Sequence, residues 1–340
     1  MADKTKKYTI AFDINGNDNG IKAGVVASYQ FALQNPNFEI ILVGPKNEIR
    51  NIDVPGIKEK PQNISIIDND KIALNPENIR ASLHEETSMN IAIELVKDNK
   101  ADAVLSSGNS GLYLALNTFK LKRLENVSRA AFMPIMPTIT GRKFLMLDVG
   151  ANIDTKPEYL VEWANIANVF AKIMLQIKTP RVSLINIGTE DNKGLEIIRQ
   201  AHLMLNESKT INYIGFREPR EILNAVCDVA VIDGYGGNLV LKSLEGAILS
   251  FKSLLKSKIL ASPIRKLGYM LAKNAFNDVA ETLDYRNVGA AWVVGVNGVA
   301  IKSHGSSDDK AYTGALNQIK IALENDVLTK VKESVKDLNE

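Results

Sequence analysis

The stretch LDVGANIDTKPEYL, Leu147 to Leu160, follows the apolar run Phe144-Leu145-Met146 and breaks at once into Asp148, Gly150, Asn152, Asp154 and Lys156, with Pro157 behind them. An apolar run ending in polar residues and glycine reads as a buried strand and its loop. The proline then marks a helix start, since at the first helical position it forfeits no hydrogen bond. The same pattern recurs along the chain. KYTIAF leads through DINGNDNG to VVASYQFALQ, ADAVLS through SGNSG to LYLALNTFKL, and RVSLINIG through TEDNKG to LEIIRQAHLML. VAVID leads through GYGGN to LVLKSLEGAIL, and WVVGVNGVAIK through SHGSS to a helix ending in ALNQIKIAL. This βα alternation predicts an α/β fold with a mostly parallel sheet covered by helices. In such sheets the ligand crevice lies outside the carboxyl ends of the strands. One glycine- and asparagine-rich loop is ordinary turn chemistry. Six of them, read at one end of one sheet, predict a shared site with Asp148 to Lys156 as one wall.

The bulk numbers narrow the class. At 340 residues, 45% apolar and 24% charged, the chain has the balance of a soluble globular protein, not of a disordered or collagen-like one. A net charge of +2 provides no global field for nucleic acid, and none is expected as a partner. The one cysteine, Cys227, permits no internal disulfide, suits a reducing cytoplasm, and sits where a core residue is expected. Three scattered histidines offer no ligand spacing, so no metal is expected. The opening MADKTKKYTIAFDI lacks the apolar core of a secretory signal, so export is not expected. No apolar run approaches the roughly 20 residues of a membrane-spanning helix. Membrane contact is therefore expected only at the surface.

Several loops can hold an anion. SSGNSG, with Ser106, Ser107, Gly108, Asn109 and Ser110, puts small residues and backbone N–H groups at a helix start. The spacing of a Walker loop is missing, and so is GxGxxG after the first strand. In IKSHGSSDD, His304 and Ser306 stand near another helix start, with Ser306 or Ser307 readable either as ligand or as N-cap. DGYGGNLVLK brings Asn238 and Lys242 onto one helix face behind Asp233, and NIGTEDNKG supplies Asn186 and Lys193.

The segment 247–277 differs in kind. It carries Lys252, Lys256, Lys258, Arg265, Lys266 and Lys273 without an acidic residue. Ile248, Phe251, Leu255 and Ile259 recur at helical spacing, Pro263 breaks the run, and Leu267, Leu271 and Phe276 resume it, as in a basic amphipathic helical hairpin. The expected organisation is a single α/β catalytic domain over 1–330, this hairpin inserted in it, and a frayed end over 331–340.

In order, SSGNSG, DVGANIDTKPEYL, NIGTEDNKG, VIDGYGGNLVLKSLEG and GVAIKSHGSS resemble the motif set of the bacterial acyl-ACP:phosphate acyltransferases, the PlsX family, over about Thr9 to Leu323. The resemblance implies a Rossmann-like three-layer αβα fold akin to isopropylmalate dehydrogenase, a homodimer, no cofactor, and peripheral attachment to the inner face of the cytoplasmic membrane. It also implies a reaction feeding phospholipid synthesis, in which inorganic phosphate attacks long-chain acyl-ACP to give acyl phosphate and free carrier. For that chemistry the SSGNSG loop and the His304 to Ser306 turn are expected to bind phosphate, with Lys156 and Lys193 as balancing charge. Lys242 and Asn238 are the candidates for the thioester oxygen, with Asp233 and His304 in the catalytic group. Asp13, Asp148, Asn152, Asp154 and Asn186 are expected to orient the site. The hairpin cations are expected to meet acidic acyl carrier protein, anionic lipid, or both.

Three segments depart from the family pattern. DINGND stands where DAMGGD is close to usual, with Asn17 replacing a glycine and no following histidine. SLHEETSM carries Glu85 and Glu86 where a basic run is usual, and Asn287-Val288-Gly289 replaces YGG. A divergent, active enzyme is the expectation. The other readings are a phosphate acyltransferase using acyl-CoA and a non-catalytic membrane-associated scaffold; the motif set argues against a β-decarboxylating dehydrogenase.

Overall fold

The computed structural model describes residues 6–57, 59–283 and 290–336. The chain opens with β1 (Tyr8–Asp13), α1 (Lys22–Gln34), β2 (Phe38–Gly44), α2 (Lys46–Asn51) and β3 (Ile64–Asp68). There follow α3 (Ile79–Ser82), α4 (Ser88–Lys97), β4 (Ala103–Ser106), α5 (Ser110–Lys120), β5 (Ala131–Pro137), β6 (Lys143–Leu147) and α6 (Pro157–Met174). The second half holds β7 (Arg181–Ile185), α7 (Glu196–Glu207), β8 (Asn212–Arg217), β9 (Val229–Val231), α8 (Gly234–Leu260) and α9 (Pro263–Thr282). It closes with β10 (Ala290–Val294), β11 (Val299–Ser303), α10 (Asp309–Glu324) and α11 (Val327–Val335).

Among the described residues the strands form one 11-stranded sheet, ordered β3-β2-β1-β4-β11-β10-β5-β6-β9-β7-β8. Its central strands are unbroken apolar runs because both faces are covered. Successive side chains serve opposite cores. Phe12, Leu105, Ile301 and Leu147 face one way, under α1, α6, α7, α10 and α11, around Trp163 and Trp292. Ala11, Val104, Ala300 and Met146 face the other, under α4 and α5, around Tyr113. These are the three layers that the alternation predicts.

Strand direction corrects the sequence reading in one respect. β1, β2, β3, β4 and β11 run parallel to one another, and β6, β7, β8 and β9 do likewise. Between the two groups, β10 and β5 pair antiparallel with each other and with β11 and β6 respectively. The two halves of the sheet therefore run in opposite directions, and the six polar loops do not share one end. The run WVVGVNGVAIK, read as one strand, is a hairpin: β10 and β11 pair across a turn in which Gly295 has φ +82°.

The glycines of GYGGN lie in the first turn of α8, which continues for 27 residues. The helical pair thus spans 234–282, beyond the 247–277 read from sequence, and Pro263 occupies the first turn of α9 as its break implied. No side chain of α9 is buried, and Phe251, Ile264, Met270 and Leu271 are exposed among the cations. None of the helices in the described residues is long and apolar enough to cross a membrane.

The end of the chain is also corrected. Residues 331–335 belong to α11 and are not frayed, because Val327, Val331 and Val335 bury themselves in the larger core with α6. Residues 337–340 and the Asn287-Val288-Gly289 segment lie outside the described residues. Val331→Ala is expected to lower stability by roughly 1–3 kcal/mol in urea denaturation, whereas a frayed end would leave the midpoint unmoved.

Candidate active site

Three parallel neighbours, β1, β4 and β11, end in register. Asp13 lies opposite Ser106, and Ser106 opposite Lys302. The preceding row on the same face is Ala11, Val104 and Ala300, so the strand period carries all three polar side chains toward the α4–α5 layer. All three are buried. Asp13 Oδ1 accepts from Ser88 Oγ at 2.6 Å and Oδ2 from Ser106 Oγ at 2.7 Å. Burial raises the Asp13 pKa to about 6, against those two hydroxyls and the field of Lys302. Lys302 Nζ donates to Ser107 O at 3.1 Å and to Ser303 O. Burial lowers its pKa to about 8, with Asp13 and Asp18 pulling the other way.

Three loops meet above this row. Gly16 has φ +79°, and a Cβ there would come within 2.7 Å of Gly108 Cα, so the β1 and β4 loops approach as only glycine allows. The Asp18 N–H donates to Gly305 O at 2.7 Å. Asn17, the replaced glycine of the family pattern, donates to Ser307 O at 2.9 Å and to Tyr312 Oη at 2.7 Å. Tyr312 Oη in turn donates to Ser107 Oγ at 2.8 Å. Asn17 thus ties the first loop to the last, and the departure is a structural crosslink. The Glu85 and Glu86 side chains are not among those lining the cleft described next.

The cleft has a volume of about 530 Å³. One wall is built from Gly16, Asp18, Ser107 to Ser110 and Lys302 to Ser307. The opposite wall is Val149, Gly150 and the α8 residues Asn238, Leu241, Lys242 and Glu245. Between them lie β5 and β10, with Phe132, Pro134, Ile135, Met136, Ala290 and Ala291. Opposed strand directions therefore do not separate the walls, because these two strands carry apolar side chains across the gap.

Of the residues named from sequence, Ser107, Gly108, Asn109, Ser110, Asn238, Lys242, His304 and Ser306 come together here. Asn109 caps α5, accepting from Leu112 N at 2.9 Å. His304 Nδ1 accepts from Ser306 N at 3.2 Å and lies 2.8 Å from Ser306 Oγ, which turns the ring within its own loop. Asn238 packs against Gly150, and Lys242 pairs with Glu245 at 3.0 Å.

The others are placed elsewhere. Ser106 faces Asp13 and accepts from Gly108 N at 3.1 Å, so it props the anion loop instead of lining it. Asp148 accepts from Phe132 N, Ala151 N and both Asn152 nitrogens, which hold its burial-raised carboxyl; Asn152 also donates to Ala130 O. Asp233 caps α8 through Gly236 N at 2.8 Å, and Asn186 holds Lys193 O. Asp154, Lys156 and Lys193 are exposed and outside the cleft lining. They follow β6 and β7, whose reversed direction and place in the sheet carry most of those loops away. Asp308, through Ala311 N at 2.9 Å, is the N-cap of α10, so neither Ser306 nor Ser307 has that role. Cys227 is buried, with its thiol pKa pushed up to about 12. Lys302 is the residue that sequence reasoning missed. Its signal was present: a lysine directly after the apolar run Val299-Ala300-Ile301 in a wholly buried strand.

Comparison with known proteins matches the same span. The family model described as fatty acid synthesis protein covers residues 8–330. The phosphate acyltransferase of Mycoplasmopsis agalactiae is 64% identical over 97% of this chain and 98% of its own. That of Mycoplasma mobile is 52% identical over 95% and 98%. Among solved structures, a phosphotransacetylase from Streptococcus pyogenes superposes with TM-score 0.61 at 17% identity, covering 95% of this chain and 96% of that one, a likeness of fold. With near-complete coverage on both sides, the chain belongs to the fatty acid synthesis protein family, the PlsX family its loop motifs resemble, and is a phosphate acyltransferase within it.

Proposed function

We propose that the substrates are long-chain acyl-ACP and inorganic phosphate, and that the acyl phosphate formed feeds phospholipid synthesis. The carrying observation is the two-sided cleft: an anion-suited wall of small residues and helix start faces α8, and the apolar strip Phe132, Pro134 and Met136 runs between them. An acyl thioester needs both. In the reaction an oxygen of hydrogen phosphate attacks the thioester carbon, the C–S bond breaks, and the phosphate's proton goes to the departing sulfur, so no external reductant or activating triad is required. Positioning can supply roughly 7–11 kcal/mol of barrier reduction, and one aimed oxyanion donor about 3–4 kcal/mol. Asn238 and Lys242, facing the anion wall, are suited to the thioester oxygen, with Lys242 leaving Glu245 to reach it.

The exposed α8–α9 pair, apolar and basic together, suits the acidic carrier, an anionic membrane surface, and a second copy of the chain. We place the enzyme at the inner face of the cytoplasmic membrane as a homodimer on that ground and on family membership.

Purified protein incubated with palmitoyl-ACP and phosphate is expected to yield phosphate-dependent hydroxamate with hydroxylamine, together with free carrier on a gel. Equal turnover of palmitoyl-CoA would remove the carrier from the reading. Absence of any product from folded protein would favour the scaffold. Asn238→Ala and Lys242→Ala are each expected to lower kcat about 100-fold; intact turnover in both would end the oxyanion assignment.

A further inference from the structure

We infer that Lys302 supplies the positive charge that holds the attacking phosphate, a part that the exposed lysines 156 and 193 are not placed to play. This rests on the phosphate-transfer reading above and names the residue that does its anion binding. Lys302 is 7% exposed, yet it belongs to the cleft wall. Among the described residues its acceptors are the carbonyls of Ser107 and Ser303, which take two of its three N–H donors. Both acceptors are neutral. Two carboxylates act on it through space without an ion pair among the described residues: Asp13, which lies beyond Ser106 and accepts from two serine hydroxyls, and Asp18, in the loop of the same cleft wall. A buried ammonium so incompletely balanced favours an anion at its remaining donor.

The surroundings fit a phosphate. The amide of Ser110, the first residue of α5 and part of the cleft wall, has no intrahelical acceptor. Ser107 is fixed by Tyr312, which Asn17 fixes in turn, so the carbonyl that holds Lys302 is itself held. A purely structural lysine tying β11 to the β4 loop would show the same two carbonyl bonds. It would be indifferent to phosphate, and that separates the two roles.

The charged and titratable groups around the ammonium are Asp13 on β1, Asp18 in the following loop, Tyr312 on α10, and His304, Lys242 and Glu245 lining the cleft. Lys302 is protonated below about 8 and loses its charge above it, so phosphate affinity should fall as pH rises past that value.

The experiment measures phosphate binding by calorimetry, and phosphate KM with palmitoyl-ACP, for wild type, Lys302→Met and Lys302→Arg, with thermal melts as folding controls. Lys302→Met is expected to weaken phosphate binding about 100-fold while the KM for acyl-ACP stays within about twofold, and Lys302→Arg to recover part of the loss. Wild-type phosphate affinity is expected to fall about tenfold per unit above pH 8, a test that stands even where Lys302→Met does not fold. Unchanged phosphate affinity in folded Lys302→Met, or a wild-type profile that stays flat up to about pH 11 in folded protein, overturns the inference. Acyl phosphate formation with an unaltered phosphate KM in Lys302→Met overturns it while leaving the reaction standing. Lys302-dependent phosphate binding without acyl phosphate overturns the reaction and leaves the site. Wild type that neither binds phosphate nor turns over overturns both.

Discussion

A carboxylate and an ammonium at the ends of strands buried on both faces constrain the rest of this molecule. Asp13 and Lys302 sit two strands apart with Ser106 between them, and neither can be left without partners in such a place. Ser88 must come from α4 to reach Asp13, and the β4 loop must turn its Ser107 carbonyl toward Lys302. Those demands fix where α4 and α5 rest on the sheet. They also leave room only for glycine at Gly16, where the loops cross too closely for a Cβ, while a Cβ at Gly108 would run into the Met89 methyl of α4.

Much of the fold was legible because its strands are apolar runs with punctuated ends. α6 begins at Pro157 and α5 is capped by Asn109 where the loop chemistry indicates. The reversal of direction was not legible. β5, AFMPIMP, carries two prolines in seven residues, which argues against a central strand. Pro134 is tolerated because pairing changes there, from β10 over residues 131–134 to β6 over 135–137. That antiparallel pair turns half of the sheet around, and no periodicity in the strands themselves encodes the turn.

The site divided along the same line. Loops after β4 and β11 put their small residues in the cleft, while most of the acidic and basic residues of the β6 and β7 loops do not reach it. A motif states which residues a loop contains, not which way its strand points. Asp148 and Asp233 show that a carboxylate at a strand end holds backbone amides as readily as it serves a ligand: Asp148 fixes the loop behind Val149 and Gly150, and Asp233 caps α8. Lys302 was overlooked because its neighbours SHGSS look more like chemistry than a lysine inside a strand does.

α8 begins at the cleft, with Asn238 in its second turn, and continues unbroken to Leu260. At about 1.5 Å per residue its 27 residues span about 40 Å. Such a rod is a lever whose short arm is one wall of the cleft and whose long arm ends at the exposed tip. A small swing at the fulcrum near Gly237, which packs on the Asp148 backbone, is magnified at the far end. Conversely, a surface that grips the tip and sets its tilt also sets the gap between the two walls.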